Sequence, residues 1–200
     1  MASNRRIGAE SSKTREALLD AAEQLMLEDG YAAASSRRVA AKAGLKPQLV
    51  HYYFRTMDDL FIALFRRRAE RGLERQAKAL ASGQPLWSLW EHIRDEPSTA
   101  ITMELIALAN HRKALRAEIA AYADRYRSMQ LETLRGLMDE YGMREDDCMT
   151  VTVLMASISR FLVMEQALGV STGHAETITL VERYLRHFEG ERRPSDDEGG

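Results

Sequence analysis

Cysteine and long apolar runs are almost absent from this sequence of 200 residues, and each absence narrows the class of protein. Cys148 is the only cysteine, so the chain forms no internal disulfide and no cysteine-based zinc cluster. No stretch approaches the roughly 18 uninterrupted apolar residues that a membrane-spanning helix needs. The polar N-terminus, MASNRRIGAESSK, lacks the apolar segment of a secretory signal. We therefore expect a cytoplasmic protein that holds neither a metal nor a cofactor.

Sequence patterns that carry catalysis are also missing. His92 follows Glu91 and His111 stands alone, and neither belongs to an HExxH pattern. GxxxxGK[ST] does not occur, and GxSxG occurs once, at residues 169–173, where no predicted strand precedes it as a nucleophile turn requires. We therefore predict that the protein is not an enzyme. An active site assembled only by the fold remains the enzymatic alternative, which a screen for hydrolytic or transferase turnover would reveal.

Charge is distributed unevenly along the chain, although the formal net charge is only −2. Residues 1–80 carry 15 Lys and Arg against 10 Asp and Glu, whereas residues 81–200 carry 13 against 20. A basic first part followed by an acidic remainder is typical of a protein that brings one end to a polyanion. A solvated charged surface gives similar counts, so the asymmetry alone does not distinguish these two interpretations.

Apolar residues recur at helical spacing in almost every segment, and no sustained alternation indicates a strand. Most of the glycine and proline residues fall between these segments. The sequence therefore predicts an all-α fold, with an N-terminal three-helix head, a larger helical domain behind it and about nine helices in total. The predicted helices span about 12–28, 36–43, 47–54, 57–81, 86–95, 98–110, 112–141, 144–169 and 174–189.

Two of the short predicted helices are joined by a tight turn at Gly44, and a longer helix lies on either side of them. Pro47 suits the first turn of the second short helix, where its missing N–H has no intrahelical partner. This arrangement is the one that presents a helix to the major groove of DNA. Val50 and Phe54 are four residues apart and are expected to pack inward. The rest of the helix is then able to reach DNA.

Residues 12–61 resemble the DNA-binding head of the TetR family of bacterial transcription regulators. The matching stretches occur in order and at the expected spacing, and they lie within about a quarter of the chain. They are REALLDAA from Arg15, DGY from Asp29, VAAKAGL from Val39, YYF from Tyr52 and DDLF from Asp58. The resemblance implies a homodimeric regulator of transcription that binds double-stranded operator DNA, with repression as the default.

Three positions depart from the family pattern where contacts with DNA are expected. His51 stands in place of the usual tyrosine of the recognition helix, and Met57 in place of a lysine common at the start of the next helix. Arg38 stands where an acidic residue is frequent. We expect one phosphate contact to be lost at Met57 and another to be gained at Arg38, so the operator sequence does not carry over from relatives.

The head supplies two kinds of candidate contact with DNA. Gln48 is suited to pair with adenine through two hydrogen bonds, Lys46 to reach guanine and Leu49 to contact the methyl group of thymine. Phosphate contacts, which fix the register of the protein on DNA, are expected from the charged, hydroxyl-bearing and aromatic side chains around them. The full predicted set is Ser35, Arg37, Arg38, Lys46, Pro47, Gln48, Leu49, His51 and Tyr52.

The resemblance implies two further roles for the remaining helices. The last two helices are expected to form a four-helix bundle with their copies from a second chain, and the middle helices to hold a small-molecule effector. A monomeric core gives the same apolar stripes, and each pocket residue is of a type common in cores. The predicted interface comprises Leu154, Ile158, Phe161, Leu162, Ile178, Val181, Leu185 and Phe188. The predicted pocket comprises Trp87, Trp90, Met103, Ile106, Asn110, Tyr122, Tyr126, Met129 and Met155.

These interpretations divide the chain into three parts. Residues 1–56 are predicted to form the DNA-binding domain with a flexible N-terminal arm, residues 57–190 the helical regulatory and dimerisation domain, and residues 191–200 a disordered, charged and glycine-rich tail. A ligand-independent or activating regulator remains an alternative. So does a nonspecific architectural DNA-binding protein, which would bind operator and random duplexes equally.

Overall fold

The computed structural model describes residues 2–94 and 96–193, and throughout these residues it contains helices and turns but no strand. The all-α prediction is confirmed, with ten α-helices in the described residues and a short 3-10 turn at Tyr31–Ala33. The helices are α1 (Ala2–Asp29), α2 (Ser36–Lys42), α3 (Pro47–Tyr53), α4 (Met57–Leu80), α5 (Pro85–Ile93), α6 (Glu96–Ala109), α7 (Lys113–Gly136), α8 (Met138–Tyr141), α9 (Glu145–Ala167) and α10 (His174–Glu189).

Most predicted helix boundaries lie within two residues of the observed ones, but the first and seventh predicted helices differ from the structure by more. Helix α1 begins at Ala2, so the flexible arm expected before residue 12 is helical and continuous with the first helix. The single helix predicted over residues 112–141 is two helices, because α7 ends at Gly136 and α8 begins only at Met138. This interruption accounts for ten helices where about nine were predicted.

The start of the predicted disordered tail is held to the rest of the chain. The side-chain amide of Gln84 donates to the backbone carbonyl of Glu191 at 2.8 Å, and the backbone N–H of Arg193 donates to Gln84 Oε1 at 2.8 Å. Gln84 itself is buried. Residues 191–193 are therefore anchored, and the remainder of the predicted tail lies outside the described residues.

The chain forms two compact units, and the division does not fall at residue 56. One unit, here called the head unit, takes in the described chain up to Glu70 together with Ala100–Tyr122. The other, here called the body unit, takes in Arg71–Thr99 and the described chain from Ala123 onwards. The first part of α4 belongs with the head because Phe61, Leu64 and Phe65 are buried in the same apolar cluster as the first three helices.

The core of the head unit joins residues from six helices. Helices α6 and α7 contribute to it, although the sequence analysis placed them in the regulatory domain. The first four helices of the head unit therefore pack against segments that are distant in sequence. The buried residues include Leu18, Ala22, Leu25 and Met26 of α1, Val39 and Ala40 of α2, Val50 of α3, Leu60, Phe61 and Leu64 of α4, Ile101, Leu105 and Leu108 of α6, and Leu115 of α7.

The body unit has its own apolar core and a partly buried cluster of hydrogen bonds around Glu189. The carboxylate of Glu189, at the end of α10, accepts hydrogen bonds from the backbone N–H groups of Leu86 and Trp87 at 2.8 and 3.0 Å. The Tyr141 hydroxyl donates to the same carboxylate at 2.7 Å. Burial raises the pKa of the Tyr141 phenol, and the bond to Glu189 raises it further. Glu189 thereby supplies the acceptor that the first turn of α5 lacks.

Helix α9 is, among the described residues, the one helix long and apolar enough to cross a membrane by length and composition, with a mean hydropathy of 1.5 over 18 residues. Its apolar side chains occupy two opposite faces. One face is buried in the body unit and includes Cys148, Met155 and Leu162. The other is exposed and includes Val153 and Phe161. The composition of α9 therefore reflects a helix with two apolar faces, one of which its own chain leaves uncovered.

Candidate nucleic-acid interface

The turn between α2 and α3 is fixed by a Schellman motif. Gly44 has a φ of +68°, in the left-handed region that favours glycine. Its N–H donates to the carbonyl of Ala41 at 3.1 Å, and the N–H of Leu45 donates to the carbonyl of Ala40 at 2.8 Å. These two bonds satisfy the last carbonyls of α2 and end the helix there. Pro47 then starts α3 at the predicted position.

Helix α3 is anchored on one side and open on the other. Val50 and the following Phe54 are buried in the head core, as predicted. The side chain of Tyr52 is 76% exposed, and its ring meets that of Tyr53 edge to face at 5.0 Å. Of the predicted DNA-contacting residues in and beside this helix, Lys46, Pro47, Gln48, His51 and Tyr52 are exposed and Leu49 is half-buried.

The predicted contacts on α2 are exposed as well. Ser35 caps the helix, since its hydroxyl accepts from the backbone N–H of Arg38 at 3.4 Å. Arg37 and Arg38 are exposed. The guanidinium of Arg38 is ion-paired with Asp29 at the end of α1. All nine predicted residues therefore lie on one short stretch of the head unit, from the cap of α2 to the end of α3.

A second cation of α2 is paired in the same way, and the sequence interpretation missed it. Lys42 Nζ donates to Glu28 Oε2 at 2.6 Å. Arg38 and Lys42 are four residues apart and therefore share one side of α2. The sequence did contain one signal for this pairing. Residues 28 and 29 are both carboxylates at the C-terminal end of a helix, where negative charge is unfavourable.

The start of α4 carries a capping box. The backbone N–H of Thr56 donates to Asp59 Oδ2 at 3.0 Å, and the N–H of Asp59 donates back to Thr56 Oγ1 at 3.1 Å. Met57, which replaces a common family lysine, packs against the head core. The Met57 side chain is thus used for apolar packing, and the loss of a phosphate contact at this position stays a prediction.

Helix α6 and the turn between α6 and α7 also make polar contacts with the part of the head unit that contains its first four helices. The backbone N–H of Tyr31 donates to Glu104 Oε2 at 2.7 Å. Arg112 is ion-paired with Asp58 in the first turn of α4. These contacts join residues more than 50 positions apart in sequence and have no local signature, so sequence reasoning did not find them.

The predicted pocket residues are divided between the two units. Met103, Ile106, Asn110 and Tyr122 belong to the head unit, whereas Trp87, Trp90, Tyr126, Met129 and Met155 belong to the body unit. Trp87, Trp90 and Met155 are buried in the body core. The Trp87 indole N–H donates to the carbonyl of Gly190 at 3.1 Å. The buried indole N–H of Trp90 has no hydrogen-bond partner in the described part of the chain.

An open cleft of about 430 Å³ lies within the head unit. It is formed by α1, the end of α3 and the first turns of α4, and its lining mixes cations, carboxylates and apolar side chains. None of the nine predicted pocket residues lines it. The lining residues are Arg15, Glu16, Tyr53, Phe54, Asp59, Ile62, Ala63, Arg66, Arg67 and Glu70.

The predicted dimer interface is exposed in part. Leu154 and Phe161 are 52% and 54% exposed, but Leu162 and Leu185 are buried in the core of their own chain and do not belong to a surface. Ile158, Ile178, Val181 and Phe188 are half-buried against that core. The predicted interface residues therefore differ in exposure, and further exposed apolar residues lie near them. Exposed apolar residues on and around α9 and α10 are Met149, Val153, Met164, Leu168, Val170, Leu180 and Tyr184.

Taken together, the fixed turn, the anchored second helix and its exposed polar edge define a helix-turn-helix protein of the DNA-binding class. Comparison with known proteins finds a family match for this part of the chain. Residues 18–64 match the family model described as bacterial regulatory proteins, tetR family. The segment that holds the helix-turn-helix is thus similar to the corresponding segment of that family.

Similar proteins are found in sequence and in fold. The chain is 29% identical over 142 residues to the HTH-type transcriptional repressor BepR of Brucella suis, and the match spans 65% of this chain and 65% of that protein. A TetR transcription regulator from Haloarcula marismortui superposes with a TM-score of 0.72 at 22% identity, covering 88% of this chain and 98% of that one. A regulator structure from Saccharomonospora viridis in complex with choline gives 0.74 at 18% identity, covering 88% and 95%.

Proposed function

We propose that this protein is a transcription regulator of the TetR family, a cytoplasmic repressor that binds a palindromic operator as a homodimer and is released by a small, mainly apolar ligand. The observation that carries the proposal is the exposed edge of α3 above its buried anchors Val50 and Phe54. A helix held from behind in this way presents side chains to base edges without rearranging. The sequence match to the repressor BepR, although partial, favours repression.

Two heads are needed because one short reading helix contacts only a few base pairs. Helix-turn-helix proteins commonly bind two half-sites about one turn of DNA apart through a dimer. The outward apolar face of α9 supports pairing between two copies of the chain. Phe161 and Leu168 are 54% and 74% exposed there. Large apolar side chains clustered on a surface mark interaction sites in soluble proteins.

The body unit supports a ligand of amphipathic character. Trp90 is buried beside Trp87 and Met155 in its core, and its indole N–H has no described partner. A buried donor without an acceptor is unfavourable by about 1–3 kcal/mol, so an acceptor on a bound molecule would be favoured there. A ligand that binds one conformation of the dimer better than the other would lower operator affinity by that difference.

Selection of bound duplexes from a random library tests the proposed function. We expect a palindromic motif with two half-sites, bound about a thousandfold or more tighter than random DNA. Footprinting across a panel of apolar and quaternary-ammonium compounds would then identify ligands that release the operator. Equal affinity for all duplexes would instead support the nonspecific architectural protein. Tighter operator binding in the presence of a compound would contradict release by ligand.

The residue-level test is Gln48→Ala, with Gln24→Ala as the matched control. Gln48 is exposed on α3, and Gln24 is exposed on α1 away from the reading edge. We expect Gln48→Ala to weaken discrimination at one base position in each half-site by about 1–3 kcal/mol, while thermal stability stays unchanged. The control should keep the selected motif intact. An unchanged motif for Gln48→Ala would remove Gln48 from base reading.

A further inference from the structure

Helix α2 carries three exposed cations near its predicted phosphate-binding edge, and two of them are already paired within the protein. Arg38 is paired with Asp29, and Lys42 with Glu28 at 2.6 Å. Arg37, the third, is exposed beside them. The two carboxylates are consecutive and belong to the last turn of α1. We call Glu28 and Asp29 the acidic pair.

The acidic pair is placed against the electrostatic preference of its own helix. The C-terminal end of a helix carries a partial negative charge, so carboxylates there destabilise it. Helix α1 has no basic residue in its last turn to offset them. Their favourable partners are the two cations on α2, which share one side of that helix. The position of the acidic pair is therefore explained by α2 rather than by α1.

We propose that the acidic pair restrains DNA binding by competing with phosphate oxygens for Arg38 and Lys42. This inference rests on the proposed function and adds to it a residue-level control of affinity. A phosphate that approaches α2 must displace a carboxylate from each cation or share the cation with it. The side chains of Arg38 and Asp29 are about half exposed, so the exchange requires no unfolding.

The acidic pair is expected to lower the affinity for DNA of any sequence without changing the discrimination between bases. Phosphate contacts supply the sequence-independent and salt-dependent part of DNA affinity. Base discrimination is assigned to Lys46, Gln48 and Leu49, which lie on the other side of the Gly44 turn. Neutralising the acidic pair is therefore expected to strengthen binding to operator and random duplexes by the same factor. The ratio of the two affinities should stay constant.

The experiment compares Asp29→Asn, Glu28→Gln and the double variant with wild-type protein on the selected operator and on a random duplex. We expect each single change to raise affinity for both duplexes about threefold to tenfold at low salt. The slope of log affinity against log salt concentration should steepen by about one for each cation freed in each protomer. Thermal melts should show unchanged or slightly higher stability, because a charge unfavourable to α1 is removed.

Two controls make the test specific. Asp124→Asn and Glu132→Gln remove the same charge from exposed positions on α7 and should leave DNA affinity unchanged. In an Arg38→Gln background, Asp29→Asn should have no effect, because the cation that it frees is gone. If the α7 control variants raised DNA affinity as much as the acidic-pair variants, the change in net charge alone would explain the effect. That result would overturn the proposal.

The remaining outcomes are also decisive. Lower affinity on Asp29→Asn would mean that Asp29 positions Arg38 for DNA, which overturns competition. Unchanged affinity and an unchanged salt slope in the acidic-pair variants would also overturn the competition proposal. If these variants still bound the operator, the proposed function would not be affected. A wild-type protein that binds no duplex at low salt would overturn both the proposed function and this inference.

Discussion

Gly72 lies in the middle of α4, where glycine is about 1 kcal/mol less favourable than alanine. The structure explains its presence by the close approach of Tyr126 from α7. A β-carbon built at Gly72 would lie 1.9 Å from the Tyr126 hydroxyl oxygen and 3.1 Å from Cζ. The position of the Tyr126 side chain thus requires a residue without a β-carbon at position 72, although the two residues are 54 positions apart in the sequence of the body unit. No local pattern in the sequence indicates this contact.

We expect Gly72→Ala to lower the free energy of unfolding by about 1–2 kcal/mol, because the strain of overpacking exceeds the gain in helix propensity. Urea denaturation monitored by circular dichroism measures the change. Gly136→Ala is the control, since no atom lies within 4 Å of the β-carbon that it adds. In a Tyr126→Phe background, Gly72→Ala should be less destabilising. An equal loss in both backgrounds would show that the hydroxyl is not the obstacle.

For single helices, local signals in the sequence are sufficient to predict the helix-turn-helix. They are not sufficient to predict which other helices pack against it. Gly44 and Pro47 determine where α2 ends and α3 begins, and both act through their own backbone. The contact of Glu104 with the Tyr31 N–H spans 73 residues and depends on how α6 packs. The all-α class and the reading helix were therefore predictable, whereas the inclusion of α6 and α7 in the head unit was not.

The start of α5 depends on a carboxylate from the other end of the body unit. Glu189 accepts from two backbone N–H groups of α5 and from the Tyr141 hydroxyl. We expect Glu189→Ala to lower the free energy of unfolding by about 1–3 kcal/mol, because three buried or half-buried donors lose their acceptor. Chemical denaturation measures it. Glu176→Ala, an exposed carboxylate of the same helix, is the control and should change stability little. A small effect of Glu189→Ala would show that water replaces the carboxylate.

The contact between α4 and α7 predicts a dependence of stability on pH. Arg66 Nε donates to Glu118 Oε2 at 2.8 Å, and this bond lowers the pKa of the Glu118 carboxyl. A carboxyl with a lowered pKa stabilises the fold above its unfolded pKa of about 4.3 and loses that contribution as the pH falls through the folded value. We expect Glu118→Gln to be less stable than wild type at pH 7, with the difference shrinking below about pH 4.

Thermal melts of wild type and Glu118→Gln across this pH range measure the effect. Glu132→Gln removes an exposed carboxyl from the same helix α7 and serves as the control, with a smaller loss of stability at neutral pH. A Glu118→Gln difference that stays constant between pH 7 and pH 3 would show that the ion pair with Arg66 does not supply it. Raising the salt concentration should reduce the difference at neutral pH, because the pair is partly exposed to solvent.

For the whole molecule, the sequence predicted that α9 and α10 carry apolar stripes but did not indicate which stripe faces outward. Helix α9 is apolar on two opposite sides, so its periodicity fits either orientation. The outcome depends on which side the tryptophans of α5 cover, and this is a tertiary property. Of the residues predicted for the dimer interface, Leu154 and Phe161 are exposed in the single chain, whereas Leu162 and Leu185 are buried in it.

Phe161 provides the test of the assembly. We expect Phe161→Glu to produce a monomer in sedimentation velocity, because a charge would be buried in the contact between two copies. The helix content should stay that of wild type, since the side chain is exposed in the single chain. Operator affinity should fall about a hundredfold or more, because two heads linked in a dimer bind with a high effective concentration that separate heads lack.

Leu27→Glu is the matched control for Phe161→Glu. Leu27 is also an exposed large apolar residue, but it belongs to α1 in the head unit rather than to the outward face of α9. It should leave the dimer intact. A dimer that persists in Phe161→Glu would place the interface elsewhere. A monomer that keeps full operator affinity would remove the requirement for two heads, and with it the reason for expecting a palindrome.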